Sequence, residues 1–122
     1  MTDVWTWLGV AALGGVGALA RFAVDAIVTT PSDGRFPLGT FVVNISGAAL
    51  LGVLTGLGLG DRALLLAGTA VLGSYTTFST WMFETQRLAE DGQAVAAAAN
   101  VVASLAVGFA AAALGRLVGE SW

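Results

Sequence analysis

The chain contains no cysteine and no histidine, its five basic residues are all arginine, and proline occurs only twice. Without cysteine there is no disulfide framework, no thiol nucleophile and no thiolate-held metal. Charge is equally scarce. Of 122 residues only 11% are charged, against 57% in the hydrophobic set. A soluble domain carries about a quarter charged residues, so this chain does not face water over its whole surface. The net charge of -3 rests on too few groups to specify a partner.

What is present is a series of long apolar runs. Residues 4 to 20 carry no charge, with the pattern continuing past Arg21 to Val28, and residues 38 to 60, 63 to 83 and 93 to 115 are charge-free. At 1.5 Å per helical residue, roughly 20 residues cross a hydrocarbon core. The expectation is an all-α membrane protein, a single domain over residues 1–122, with spans at about 4–28, 38–60, 63–88 and 93–117. Both prolines, Pro31 and Pro37, fall in the first connection around the turn signal Asp33-Gly34. Asp61-Arg62 and Ala89 to Gly92 supply the other two connections. A cleaved signal peptide is not expected, because the first run lacks a positive leading segment and continues through Arg21 and Asp25.

Arginine placement orients short-loop membrane proteins. Four alternating spans put Arg62 and Arg116 on the side of the N-terminus and Arg35 and Arg87 on the other, while Arg21 lies within the first span and reaches an interface only by snorkelling. That balance is the signature of a chain that inserts both ways round and pairs as an antiparallel homodimer. Insertion in one orientation under a weak bias is the alternative.

Small residues predict where helices meet. Ala48, Gly52, Gly56 and Gly60 repeat at four-residue spacing, Gly14, Gly15 and Gly17 thin the first span, and Asn100, Ser104 and Gly108 share a face of the fourth. Asn100 and Ser104 suit either a polar passage or interhelical bonding. Asn44 needs partners for two donors and one acceptor; Thr40 lies one turn earlier on its face, whereas Ser46 points elsewhere. Arg21 and Asp25, four apart, are expected to pair along the helix.

The third run is interrupted by Gly73-Ser-Tyr-Thr-Thr-Phe-Ser-Thr80. Hydroxyl side chains compete with the helical ladder, and freed backbone groups at membrane depth persist only where they line something. A broken span presents carbonyl oxygens to cations and N–H groups to anions. With no carboxylate in the break, a cation there would be held mainly by carbonyls. Phe78 and Trp81 follow, three apart, and their positive ring edges suit a small anion; plain packing is the competing reading. Glu84, three further on, remains solvated, pairs with Arg87 or lines a vestibule. These residues support a pathway for an ion or small polar solute without choosing which. A continuous Thr/Ser-rich helix is the alternative.

Three segments sharpen the choice. Gly14-Gly-Val-Gly-Ala-Leu-Ala-Arg-Phe22, Gly39-Thr-Phe-Val-Val-Asn-Ile-Ser-Gly47 and Gly73-Ser-Tyr-Thr-Thr-Phe-Ser-Thr-Trp-Met-Phe-Glu84 resemble, in order, the helix motifs of the small fluoride channels of bacterial and archaeal membranes, the CrcB or Fluc proteins. The resemblance covers the whole chain. It implies a dual-topology antiparallel homodimer, not an enzyme, that passes fluoride passively, rejects chloride and protects the cell from fluoride. It also implies a central sodium ion held by backbone carbonyls, which fall on Gly73 and Thr76. The fluoride path falls on Asn44, Phe78 and Trp81, with Ser79, Thr80 and Ser104 as polar-track groups; Arg21 and Glu84 are structural or electrostatic. Trp81 departs from the family's second phenylalanine and brings an extra N–H donor. A proton-coupled four-span exporter would want a carboxylate in the first span, and none lies between Val4 and Ala20. A purely structural assembly subunit leaves the hydroxyl-rich break without a reason.

Overall fold

The computed structural model describes residues 3–30 and 36–122. Pro31, the turn expected at Asp33-Gly34, and Arg35 lie outside the described residues. Helix α1 spans Val4–Thr29. Asp3 caps it, its carboxylate accepting the Thr6 N–H and the Thr6 hydroxyl, each at 2.9 Å. Those two bonds, with Arg62 at 3.5 Å, hold the Asp3 carboxyl below the usual carboxylate range.

Helix α2 spans Leu38–Gly56 and stops short of residue 60, because Gly58 takes a left-handed φ of 69° and turns the chain. Gly60 therefore lies outside the small-residue stripe to which the sequence assigned it. The third crossing is built in pieces. Helix α3 spans Asp61–Leu64, a π-helical segment runs through Leu65–Leu72, α4 is Gly73–Tyr75, and after a break α5 spans Ser79–Glu90. Gly92, at φ 79°, turns the chain into α6, Ala94–Glu120. Helix α6 runs past the expected residue 117, and Arg116 donates to Glu120 at 3.2 Å in its last turns.

Glycines set the helix contacts. A Cβ at Gly52 would overlap the Ala112 carbonyl, and one at Gly56 the Arg116 carbonyl. Reciprocally, a Cβ at Gly115 or Gly119 would overlap the Ala49 or Val53 carbonyl of α2. Two glycine pairs spaced four apart thus face each other and bring α2 and α6 to backbone contact. Gly17 admits the Val71 carbonyl in the same way, seating α1 on the π-helical segment. Behind these contacts the buried apolar core is small and centres on Val43, Leu72 and Tyr75.

The crossings alternate. The Arg62–Asp3 ion pair sets the start of α3 beside the start of α1, and Arg116 lies against Gly56 at the same end. Arg87 lines a cavity with Thr29 and Gly39 at the other end. The described arginines outside α1 therefore divide between the two ends as expected. The expected Arg21–Asp25 pair does not form: Asp25 instead accepts the Thr29 hydroxyl at 3.2 Å, another residue four along the same helix. Gly39 permits this, since a Cβ there would overlap the Asp25 carboxylate.

Helices α1, α2 and α6 are each long and apolar enough to cross a membrane. Large apolar side chains point outward around the bundle, Phe22 at 78% and Phe109 at 74% exposure among them. Such a surface is suited to lipid. The chain is a multi-pass membrane protein, all-α, with three long apolar helices and a fourth that is broken.

Candidate functional site

The break is narrower than the hydroxyl-rich segment suggested. Residues 73–75 remain helical, and the backbone leaves helical geometry at Thr76, where φ is -81° and ψ 162°. Both the N–H and the hydroxyl of Thr76 donate to the Leu72 carbonyl at 3.0 Å. The next peptide is held from outside the helix. Asn44 donates from Nδ2 to the Thr77 carbonyl at 2.9 Å and accepts the Thr77 N–H on Oδ1, also at 2.9 Å. One side-chain amide on α2 thus replaces two missing ladder bonds. Gly47, one turn away, makes room: a Cβ there would overlap the Thr76 methyl group.

These diversions have a definite backbone consequence. In an unbroken helix the Thr77 N–H would donate to the Gly73 carbonyl and the Thr80 N–H to the Thr76 carbonyl. Instead, Thr77 donates to Asn44, and Thr80 donates to the Thr77 hydroxyl at 3.2 Å. Among the described residues the carbonyls of Gly73, Ser74, Tyr75 and Thr76 all lack their ladder donors, since the N–H groups of Phe78 and Ser79 do not return to the helix either. Gly73 and Thr76, the two residues named as sodium ligands by the resemblance, are two of these four. Both line a groove of about 480 Å³ with Asn44, Thr77, Phe78 and Trp81. Among the described residues no cluster of acidic side chains could hold a metal ion.

The two rings meet edge to face, with centroids 5.7 Å apart and planes at 78°. Phe78 is 70% exposed, whereas Trp81 is partly buried and its indole N–H donates to the Asn100 carbonyl at 3.3 Å. That bond spends the extra donor within the bundle, so Trp81 offers its neighbours a ring and not an N–H.

A second cavity, about 270 Å³, is lined by Asn44, Trp81 and Ser104 together with apolar residues of α2 and α6. The Ser104 hydroxyl is buried and has no protein partner among the described residues. Arg21 and Thr80 share a third cavity with Asp25 and Thr40. Glu84 lines a fourth with Arg87; its carboxyl lies beside Thr40, and its Oε1 is buried without a partner among the described residues. Ser79 is exposed and lines none of these four cavities.

Some site contacts do not follow from the sequence pattern. Ser46 was expected to point elsewhere than Asn44, and its hydroxyl meets the Tyr75 hydroxyl at 2.9 Å, tying α2 to the last helical residue before the break. Thr85 gave no signal beyond its place in the helix, yet it bonds both Trp81 and Asn100. The Ser46–Tyr75 and Thr85–Asn100 bonds join distant segments, which helical spacing alone does not reveal.

A discontinuous helix clamped by a side chain from its neighbour, with freed carbonyls and paired rings along a groove, defines a multi-pass membrane protein with a broken span. The chain belongs to the CrcB-like protein family, described as Camphor Resistance (CrcB), which it matches over residues 8–116. It is 58% identical over 120 residues, 98% of both chains, to "Fluoride-specific ion channel FluC 2" of Mycolicibacterium paratuberculosis. A protein of the same name in Mycobacterium tuberculosis is 55% identical over 93% of this chain and 90% of its own. "Fluoride-specific ion channel FluC 1" of Frankia casuarinae is 43% identical over 94% of this chain and 96% of its own.

Proposed function

We propose that this chain is a passive fluoride channel that exports cytoplasmic fluoride and acts as an antiparallel homodimer. The observation that carries the reading is the clamped break: Asn44 holds the Thr77 peptide while the rings of Phe78 and Trp81 border the same groove. The names of close relatives supply the ion, and the division of arginines between the two ends supports the dual insertion that an antiparallel dimer requires.

Fluoride holds its water tightly, so the path must offer replacement donors in sequence, each weak enough to release the ion. The Ser104 hydroxyl, unpaired in its cavity, is one such donor. The second Nδ2 hydrogen of Asn44 is another, since only one is spent on Thr77. The ring edges of Phe78 and Trp81 add positive quadrupole without a full charge. Chloride, larger and less charge-dense, gains less from closely spaced donors. Thr80 and Arg21, sharing a cavity, extend the polar lining, and Glu84 borders a vestibule with Arg87. Ser79 enters the path only across a subunit contact, given its outward position.

The carbonyls of Gly73 and Thr76 suit a hard monovalent cation, because they are neutral oxygens without ladder donors. Sodium bound there supplies a positive charge that offsets the desolvation of a nearby anion. Hydrofluoric acid crosses membranes and ionises in a more neutral cytoplasm, after which a negative interior favours fluoride exit through an open passage.

Purified protein in liposomes under a fluoride gradient, followed with a fluoride electrode, tests the function: fluoride leaves and chloride does not. Release no faster than from protein-free vesicles would refute it. Phe78→Ile removes the quadrupole from the groove and is expected to lower flux roughly fivefold, the effect of an aromatic contact of about 1 kcal/mol. Wild-type flux in that variant would take Phe78 off the path. Tags at the C-terminus should label from both faces of the membrane; labelling from one face only would reject dual insertion.

A further inference from the structure

Behind the groove, α5 and α6 are joined by a closed hydrogen-bonded circuit. The Thr85 hydroxyl donates to the Trp81 carbonyl at 2.8 Å. With its proton spent, that hydroxyl can only accept, and it takes Nδ2 of Asn100, also at 2.8 Å. The Asn100 backbone carbonyl then accepts the Trp81 indole N–H at 3.3 Å, returning to the residue where the circuit began. Asn100 is 1% exposed, and its own Oδ1 has no partner among the described residues. An unpaired buried amide oxygen is unfavourable, so the useful end of this side chain is its donor, which holds Thr85.

The geometry points to Thr85 and Asn100 as positioning residues that lock the Trp81 indole in one rotamer, so that a ring bulkier than phenylalanine borders the groove edge to face with Phe78 without swinging into it. Each element is needed for a reason visible in the bonds. Thr85 ties the Trp81 backbone to α6, and the indole N–H ties the ring itself. Indole can be latched in this way; a phenyl ring, having no N–H, cannot. The inference rests on the fluoride-channel reading for its effect on flux, but the latch is a property of the fold.

Thr85→Val keeps the side chain's shape and removes both of its bonds. Leaving the Asn100 donor unpaired is expected to lower fluoride flux roughly tenfold, while Thr85→Ser, which keeps the hydroxyl, retains the flux. The same Thr85→Val change made in a Trp81→Phe channel, compared with its own Trp81→Phe parent, should alter flux by less than roughly twofold, since no indole remains to be released. Independently, the Trp81 indole N–H should exchange with solvent deuterium more slowly than those of the exposed Trp5, Trp7 and Trp122, and Thr85→Val should remove that protection. Equal fractional losses of flux in the two backgrounds, or indole exchange unchanged by Thr85→Val, would overturn the proposal. The exchange measurement decides the latch even in a channel that passes no fluoride, which would count against the proposed function instead.

Discussion

Asn44→Asp should reduce fluoride flux to about one hundredth of the wild-type rate. The substitution is nearly isosteric, but at neutral pH it replaces the Nδ2 donor with an anionic oxygen facing the Thr77 carbonyl, 2.9 Å away in the native clamp. The bond becomes a repulsion, and the loss of a buried charge-sensitive contact is worth about 3 kcal/mol. The Thr77 N–H keeps its acceptor, so only half of the clamp fails. That asymmetry makes the effect reversible by acid. Once protonated, the substituted carboxyl can donate its O–H to the Thr77 carbonyl, so flux above that of protein-free vesicles should recover as pH falls. Electrode measurements on Asn44→Asp and Asn44→Ala channels over a pH series check this. Recovery should occur in the first and not in the second, and wild-type flux in both at neutral pH would mean that the clamp does not matter.

Gly52→Val should prevent assembly of a stable channel. The added Cβ would overlap the Ala112 carbonyl and crowd the Arg116 N–H, both backbone groups that no rotamer change can move aside. Overpacking of this kind costs about 1–3 kcal/mol, and the facing Gly115 and Gly119 leave α6 no direction in which to yield. Gly60→Ala is the matched control, because space at that position is open. Thermal unfolding in detergent and the fraction of monodisperse protein after extraction are the readouts. A Gly52→Val protein as stable as Gly60→Ala would show that α2 and α6 do not meet through these glycines.

Charge-free runs and turn residues locate helix starts directly. Leu38 opens α2 as expected, and α1 and α6 begin within a residue of their expected starts. The break was also marked, since hydroxyls at membrane depth need an explanation. Its cause was not. Asn44 and Thr77 are 33 residues apart, and no periodicity relates them. The π-helical stretch at Leu65–Leu72 escaped for a different reason: in a uniformly apolar run, the pattern cannot distinguish a ladder of four-residue bonds from one of five. Gly115 and Gly119 were likewise hidden in α6, where Ala and Val surround every face and no stripe stands out. Arg21 and Asp25 had the right spacing for a pair, but Thr29 has the same spacing from Asp25 and takes its carboxylate.

The structural residues and the path residues overlap at Asn44, whose amide both clamps the break and borders two cavities. A change there affects shape and lining together. Phe78 and Ser104 separate the two, since neither side chain makes a hydrogen bond among the described residues and each borders a cavity with Trp81.

A high-resolution structure of the protein in lipid with fluoride and sodium present tests the central claim most directly. It should show residues 76–78 non-helical with the Asn44–Thr77 clamp closed, cation density between the Gly73 and Thr76 carbonyls of two antiparallel copies, and anion density at the edges of Phe78 and Trp81. An unbroken helix through residues 73–80, facing lipid with no polar passage beside it, would contradict the account.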